Sequence, residues 1–287
     1  MQSAHTSDAH GAAQQGTDLP LVEIDADSCV GCGLCVRVCP TRYLTQKAPK
    51  TRPECIQCGH CVAVCPTDSI IHKQMDMDAF QPISDVRDVE FVERLLHAKR
   101  SVRHFKDKPI PREIIERLLN SAACAPTNSN SQDRAFIVLT ERSFINAFEL
   151  LIIDTFRTWM ENELAKSNDS NPYLIASAKG FIAAHEQGAH PVFHSAPCVI
   201  CAHSRENNYF GTYNCISATD YLMLHASSLG LGSCVAGAAL HSPKEANRFL
   251  GLADDRRLQS VIVLGYPAIR YKRTVSRRPA QVCWHDT

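Results

Sequence analysis

The sequence has no excess of charge, because its 30 lysine and arginine residues balance its 30 aspartate and glutamate residues in a chain of 287. A neutral chain creates no strong field towards nucleic acid or an anionic membrane surface, so neither is an expected partner. Long apolar runs are also missing. One long stretch without formal charge, Leu222–Leu240, contains a histidine, serines and glycines, which argues against a membrane span.

The beginning of the chain has neither an apolar segment nor an early basic residue. The first twenty residues, Met1–Pro20, are polar, and the first basic side chain is Arg37. A Sec or twin-arginine signal is therefore not predicted. So polar a segment cannot bury a core, and residues 1–20 are predicted to form a disordered tail.

Cysteine, in contrast, is abundant, with 14 residues. Eight of them repeat one spacing twice, Cys-x2-Cys-x2-Cys-x3-Cys-Pro, at Cys29, Cys32, Cys35 and Cys39 and again at Cys55, Cys58, Cys61 and Cys65. Three thiolates at such intervals can bind one iron–sulfur cluster, while the fourth, carried away by three residues and a proline, binds the other. The spacing thus predicts two [4Fe–4S] clusters, one held by Cys29, Cys32, Cys35 and Cys65, the other by Cys55, Cys58, Cys61 and Cys39.

Zinc and disulfide bonds are the alternatives for so many cysteines. A structural zinc site needs four ligands and usually shows two separate pairs, not a doubled triplet followed by proline. Disulfides require an oxidising compartment. The doubled spacing resembles that of bacterial two-cluster ferredoxins, which implies electron transfer. Because oxidised thiols cannot bind iron, we expect a reducing environment and a cytoplasmic protein.

Composition divides the rest of the chain into three parts. Residues 21–73 are the predicted 2[4Fe–4S] ferredoxin domain, with short strands at Leu21–Ile24 and Ser69–His72. Residues 74–89 contain four aspartates without periodicity and are predicted to be a linker. Residues 90–287 are predicted to form an α+β domain, because helical patterns alternate there with few strands.

Several elements of this last domain can be predicted one by one. Apolar residues at helical spacing follow Pro111, a favoured first-turn residue. Helices are also predicted over Phe144–Lys166 and over Tyr213–Ser228, which Gly230 ends. Short β-branched runs predict buried strands at Ala135–Leu139, Cys198–Ala202 and Ser260–Leu264.

Two polar segments carry binding chemistry. In Lys99–Phe105, the residues Arg100, Ser101 and Arg103 place two guanidinium groups and a hydroxyl on one short turn, which suits a dianionic phosphate. A solvated basic helix end is the simpler alternative for this segment alone. The second segment, Ala125–Gln132, is dense in amide and hydroxyl groups, although an ordinary Asx-rich turn has the same composition.

A third segment, Leu229–Ala238, contains glycines that suggest a dinucleotide fingerprint. A Rossmann loop needs glycines at the first, third and sixth positions after a strand. Here the sixth position is Val235 and the preceding element is helical. NAD binding at this loop is therefore not predicted, and the chain contains no Walker sequence.

These three segments are followed by Gly265–Pro267 and several basic residues. The four segments occur in the order found in the nitroreductase family of FMN flavoproteins, which the chain resembles over about Val89–Trp284. The resemblance implies that Arg100, Ser101 and Arg103 bind the FMN phosphate. It also implies that one basic residue of the closing segment binds the phosphate, and we predict that this residue is Arg273. The second segment would contact the flavin edge and ribityl chain through Pro126, Thr127, Asn128, Asn130 and Gln132. The third would pass close to the isoalloxazine ring at Val235, Ala236 and Gly237.

The resemblance has further implications and two departures. It implies an α+β fold and a homodimer with FMN sites at the subunit interface. Lys99 stands where the family usually has arginine. Asp133 and Arg134 stand where Pro-Trp often follows the glutamine, which bears on substrate contacts more than on flavin binding.

The cysteines outside the clusters give weaker signals. Cys198 and Cys201 lie in an apolar strand pattern and three residues apart, so they face opposite sides, and a buried structural role is predicted for both. Cys234 lies inside the segment near the ring. The aromatic residues and histidines between Phe156 and His194 are expected to pack in the core for the most part.

These cofactors imply a function. Two one-electron clusters can supply the electron pair that FMN accepts. We therefore expect an iron–sulfur flavoprotein oxidoreductase that takes electrons from ferredoxin or another low-potential donor and reduces a nitro compound, activated alkene or quinone. No catalytic side chain is predicted, because the cofactors carry the chemistry. An electron-transfer adaptor that docks to a larger redox partner, with no substrate of its own, is the alternative; a non-redox or flavin-degrading activity is a third and weaker one.

Overall fold

The computed structural model describes residues 21–44, 55–82, 88–165 and 172–285. The chain divides into two compact units, Met1–Asp85 and Val86–Thr287. The predicted tail of residues 1–20 lies outside the described part. The domain boundaries chosen from composition stay a prediction.

The first unit is built from two similar halves. Strand β1 (Val22–Ile24) pairs antiparallel with β2 (Ile70–His72), where the sequence predicted two short strands. Between them lie two short helices, α1 (Leu34–Val38) and α2 (His60–Ala63). Each helix follows a glycine in the left-handed conformation, which lets the chain turn between the second and third cysteine of each run.

The apolar core of this unit is small. Its buried cluster consists of Val22, Cys61, Val62 and Ile70. Residues after β2, such as Met77 and Phe80, pack against it. So small a core contributes little folding free energy, and small domains of this kind usually depend on a bound metal.

The second unit is centred on a four-stranded sheet with the order β3-β4-β6-β5, in which every neighbouring pair is antiparallel. The strands are β3 (Ala135–Leu139), β4 (Cys198–Arg205), β5 (Gly232–Val235) and β6 (Arg256–Gly265). Strands β3, β4 and β6 lie where β-branched runs predicted strands. Strand β5 was expected to be part of a turn. Its sequence, Gly-Ser-Cys-Val, has a single β-branched side chain and gives little strand signal.

Helices cover this sheet. In its described residues the second unit contains α3 (Val89–Ala98), α4 (Arg112–Ala123), α5 (Arg142–Ala165), α6 (Pro172–Glu186), α7 (Gly211–Ser228) and α8 (Pro243–Phe249). The helices predicted after Pro111, from Phe144 and from Tyr213 correspond to α4, α5 and α7. Helices α3, α6 and α8 were not predicted. None of the described helices combines the length and apolar character needed to cross a bilayer.

The sheet is buried on both faces. Side chains alternate along a strand, so β4 sends Val199 and Cys201 into one apolar cluster and Cys198 and Ile200 into the other. The first cluster includes residues of α5, α6 and α8, and the second includes residues of α4 and α7. Burial raises the pKa of Cys198 to about 12. Both thiols therefore pack as apolar groups, and helices on two faces of an antiparallel sheet make the α+β fold.

The segment that connects α3 to α4 packs against the end of the β5–β6 pair. Gly232 of β5 is paired with Gly265 of β6. A Cβ atom on Gly232 would lie 2.8 Å from Val102, and one on Gly265 would lie 2.7 Å from Phe105. Since such distances are shorter than van der Waals contact, glycine is required at both positions for this close approach.

Replacing Gly232 with alanine should destabilise the second unit by about 1–3 kcal/mol, because the extra methyl group overpacks against Val102. Gly180→Ala is the matched control. Its Cβ would meet no atom within 4 Å, and alanine is favoured over glycine inside a helix such as α6 by about 0.5–1 kcal/mol. Chemical denaturation measures both effects. A Gly232→Ala variant as stable as the wild type would contradict the close packing.

Candidate functional site

Four cysteines of the first unit face a common cavity. Its lining includes Cys39, Cys55, Cys58 and Cys61 together with Val22, Tyr43 and His72. Three of the cysteines come from the second run and one from the first. This is the set that the spacing assigns to one cluster.

Electrostatics couple these four thiols. Burial raises the pKa of Cys55, and the nearby charges of Cys58 and Cys39 raise it further. Burial likewise raises the pKa of Cys61, with Cys58 and Cys55 as further causes. Thiolates this close to one another disfavour each other's ionisation. Bound iron removes that repulsion and keeps its thiol ligands deprotonated, so the donor set fits an iron–sulfur cluster.

The same cavity fits a single metal ion poorly. Among the described residues, no three histidine, cysteine, aspartate or glutamate side chains are close enough to bind one ion. A zinc ion draws its sulfur ligands to about 2.3 Å, whereas a four-iron cluster has its ligands spread around a larger body. All 14 cysteines lie in the described ranges, and none of them is in a disulfide. Of the three alternatives, the cluster agrees best with this geometry.

The other predicted ligand set is more open. Cys29 and Cys32 are exposed, and Cys35 and Cys65 are half-buried. The hydroxyl of Ser69 lies 3.2 Å from the Cys65 sulfur. This hydrogen bond lowers the pKa of Cys65 to about 7, which favours the thiolate that binds iron.

In the second unit, predicted flavin segments meet beside β5. Ser101 of the first segment forms a parallel bridge with Ser233 of the third. The adjacent Val102 N–H donates to the Ser233 carbonyl at 3.0 Å. Phe105 forms an antiparallel bridge with Pro267 of the closing segment. Three of the four predicted segments are therefore adjacent.

The Arg100 side chain is partly engaged within this turn. Its Nη1 donates to the carbonyls of His97 and Lys99, both at 2.7 Å, and so caps the end of α3. Its Nη2 lies 3.5 Å from the carbonyl of Arg273, the closing residue chosen from the sequence. Arg103, in contrast, is exposed, and its Nη1 has one long contact, 3.5 Å to the carbonyl of Ser101.

Two buried polar atoms around Ser101 have no hydrogen-bond partner within the described part of the chain. They are Nε of Arg100 and Oγ of Ser233. An unpaired buried donor costs about 1–3 kcal/mol, so such atoms are unusual unless a ligand accepts from them. With Arg103 beside them, they present donors to an anion. This donor set fits the phosphate of FMN.

The second predicted flavin segment is hydrogen-bonded to helix α7. The Asn128 N–H donates to Oδ1 of Asn214 at 3.1 Å, and Nδ2 of Asn214 donates to Oδ1 of Asn128 at 2.8 Å. Ser129, Asn130 and Gln132 all have positive φ values, between 46° and 51°. Such strain persists only where the surroundings fix it.

Open space lies beside the backbone predicted to face the ring. Val235 is half exposed and Gly237 is exposed, while Ala236 between them is buried. A Cβ atom on Gly237 would meet no atom within 4 Å. A flat ligand could therefore approach this backbone.

Asp133, which departs from the family's pattern, has a structural role. Its carboxylate lies 3.0 Å from Nη1 of Arg256 and accepts from the Arg205 N–H and the Asn208 side chain. It therefore fixes the loop between β4 and α7. Burial and the neighbouring Arg256 lower the pKa of His203 to about 4, so this histidine stays neutral within the network.

Neither Asn214 nor Ser233 was among the residues predicted from the sequence. Both are buried polar side chains, 3% and 1% exposed. The signal for Asn214 is a polar residue on the buried face of the apolar helix α7. Ser233 gave no such signal, because its burial depends on the unpredicted strand β5.

Two parts of the chain match known families. Residues 96–266 match the nitroreductase family, and residues 21–80 match a 4Fe-4S dicluster domain. A protein of Archaeoglobus fulgidus provisionally named NADH dehydrogenase/NAD(P)H nitroreductase is 26% identical over 179 residues, which are 61% of this chain and 84% of that protein. An iodotyrosine deiodinase of Haliscomenobacter hydrossis is 25% identical over 59% of this chain and 76% of its own.

Solved structures show the same fold for the second unit. An iodotyrosine deiodinase with bound FMN and 3-iodo-L-tyrosine matches with a TM-score of 0.54 and 20% identity, over 68% of this chain and 100% of its own. A nitroreductase from Bacteroides fragilis with bound FMN matches with a TM-score of 0.51 and 21% identity, over 67% and 98%. At such identities the likeness establishes the fold alone.

Proposed function

The chain belongs to the nitroreductase family, and on that premise we propose that it passes electrons from two [4Fe–4S] clusters to FMN and reduces a nitro compound or a similar electron-poor small molecule. The observation that carries the proposal is the cavity lined by Cys39, Cys55, Cys58 and Cys61. Such a lining would hold a cluster in the same chain as the nitroreductase domain. Such clusters carry electrons, so the two parts suggest one electron path.

The chain's own residues bind and orient the cofactor. Arg103, the hydroxyls of Ser101 and Ser233, and Nε of Arg100 would bind the FMN phosphate. The polar segment from Pro126 to Gln132 would bind the flavin edge and ribityl chain. When bound, FMN supplies an acceptor that exchanges electrons singly or in pairs. No side-chain acid or base is assigned, because none of the named residues is required to transfer a proton.

A homodimer would complete the flavin site. Helix α7 buries one face in the core, yet its other face exposes Phe210, Tyr213, Ile216 and Tyr221, each by 44–69%. These residues follow one another at intervals of three, three and five positions, so with the exposed Asp220 they share one broad face. Exposed apolar side chains gathered on one face favour an interaction surface. Asn214 ties the second flavin segment to this helix. A partner docked on α7 would therefore lie next to that segment and could supply the phosphate-binding turn.

The electron donor is proposed to be a reduced ferredoxin or a similar low-potential protein. Relatives carry names that mention NAD(P)H, but those names describe proteins that match about 60% of this chain. The dicluster domain would give this chain its own electron entry, and the third segment lacks the glycine that a dinucleotide loop requires.

Anaerobic protein should contain about eight irons and eight sulfides per chain, because two sets of four cysteines are present. Elemental analysis and sulfide assay measure this content. A fully loaded chain with about four irons, or with zinc in place of iron, would contradict the two-cluster assignment.

Replacing both Arg100 and Arg103 with alanine should weaken FMN binding at least 100-fold. Each charge-assisted hydrogen bond contributes about 1.5–3 kcal/mol, and two together exceed the roughly 2.8 kcal/mol that such a factor requires at about 1.4 kcal/mol per tenfold. Arg94→Ala with Arg112→Ala is the matched control, since both arginines are exposed and pair with a glutamate one turn away. Flavin fluorescence titration measures affinity. Unchanged affinity in the first pair would refute the phosphate assignment, provided that cluster absorbance is intact.

Replacing Ile216 with lysine should convert the dimer to a monomer and release FMN, because burial in the interface would desolvate the new charge. Leu150→Lys adds the same charge at an equally exposed apolar residue of α5, which packs against the other face of the sheet, and should leave the dimer intact. Analytical ultracentrifugation and flavin content measure both effects. A monomeric Ile216→Lys protein that keeps its FMN would show that one chain is sufficient for the flavin site.

Reduced ferredoxin should support anaerobic turnover of nitro compounds, activated alkenes or quinones far better than NADH or NADPH does. A variant without residues before Asp85 should still bind FMN, since the sheet and both large apolar clusters lie after that residue, but should lose fast reduction by ferredoxin. Initial rates for both proteins with each donor decide this. Equal reduction of the truncated protein, or faster turnover with NADPH, would contradict the donor assignment. Failure with every acceptor would favour the electron-transfer adaptor.

A further inference from the structure

Two buried polar side chains at the two ends of strand β2 face cysteine sulfurs of the first unit. Ser69, just before the strand, is 2% exposed, and His72, its last residue, is 1% exposed. The Ser69 hydroxyl lies 3.2 Å from the sulfur of Cys65. Nε2 of His72 lies 3.6 Å from the sulfur of Cys55. The two cysteines belong to different predicted clusters.

Ser69 donates to its cysteine once iron is bound. A thiolate ligand has no proton, so the hydroxyl must be the donor. The Ser69 oxygen also lies 3.1 Å from Oγ1 of Thr67, which can donate in turn to Ser69 and strengthen the bond to sulfur. In the first run, Cys39 accepts the backbone N–H of Tyr43 at 3.2 Å, and in both runs a threonine hydroxyl two residues after the cysteine lies 3.8 Å from its sulfur. The closer hydroxyl of Ser69 is thus a difference between the two otherwise similar halves.

His72 also presents a proton to its cysteine. Its Nδ1 accepts the backbone N–H of Gln74 at 3.3 Å. A neutral imidazole that accepts at Nδ1 carries its proton on Nε2, the atom that faces Cys55. Each predicted cluster therefore receives one buried side-chain donor, a hydroxyl for the cluster of Cys65 and an imidazole N–H for the cluster of Cys55.

We propose that Ser69 and His72 set the reduction potentials of the two clusters separately. The inference rests on the proposed function, in which each cluster accepts one electron from a low-potential one-electron donor such as dithionite or reduced ferredoxin. The cluster then gains one negative charge, and no bond is made or broken. A hydrogen bond to a ligand sulfur stabilises the more negative state more strongly, so it raises the potential. Loss of either donor lowers the potential of one cluster and leaves the other unchanged.

An anaerobic redox titration of the full chain, with reduced clusters counted by electron paramagnetic resonance, tests this separation. Ser69→Ala should lower the midpoint potential of one cluster by about 59 mV. This shift corresponds to a roughly tenfold lower ratio of reduced to oxidised cluster at a given potential. His72→Leu should shift the potential of the other cluster by a similar amount, and the double variant should shift both. His72→Gln, which retains an N–H donor, should restore much of the wild-type behaviour.

Ser28→Ala is the matched control. The Ser28 hydroxyl bonds to the Asp25 carboxylate at 2.6 Å rather than to a cysteine sulfur, so its removal should shift neither potential. The inference would be overturned if Ser69→Ala left both midpoint potentials unchanged. It would also be overturned if the two substitutions of the double variant shifted the potential of the same cluster. If His72→Leu loses iron, Ser69→Ala decides alone, because it removes one oxygen atom.

Iron and sulfide assays on the same samples separate this inference from the two-cluster assignment on which it rests. Eight irons with unshifted potentials would refute this inference only, whereas wild-type protein short of iron would overturn the cluster assignment and the inference with it.

Discussion

Repulsion between thiolates is the constraint on which the first unit depends. Cys39, Cys55 and Cys58 face one cavity, and their charges oppose ionisation of one another. The apolar core beside them has four buried residues, too few to hold such groups together unaided. Bound iron would remove the repulsion and join the first cysteine run to the second. Cluster binding and folding would then be one process in this unit, as in other small metal-dependent domains. Strand β2 lies where Ser69 and His72 contact the sulfurs of Cys65 and Cys55.

In the second unit, close packing rather than metal binding assembles the site. Gly232 admits Val102, and this contact brings Ser101 beside Ser233. The same packing leaves Nε of Arg100 and the Ser233 hydroxyl buried without partners among the described residues. A bound phosphate would supply an acceptor for these two donors, as the proposed function requires. The polar segment is bonded to Asn214 of α7, and the other face of this helix exposes apolar side chains, which is why a second chain is proposed to complete the site.

Much of this arrangement could be predicted from the sequence, because its signals are local. Cysteine spacing alone assigned Cys39 to the ligand set of the other run, and β-branched runs predicted the strands at Ala135 and Cys198. The rest depends on tertiary contacts. Strand β5 forms because β6 offers an edge to a segment of low β-propensity. The role of Asp133 depends on Arg256, 123 positions away in the chain. No local pattern indicates such a pair.

The central claim is that electrons enter through the clusters and pass to the flavin of the same protein. Rapid anaerobic mixing with reduced ferredoxin, followed at wavelengths that separate cluster from flavin absorbance, tests it most directly. The account predicts that cluster absorbance bleaches first, at a rate that rises with ferredoxin concentration. Flavin absorbance should then fall at a rate that does not depend on that concentration. Flavin reduction without prior bleaching of the clusters, at a rate proportional to ferredoxin, would contradict the account.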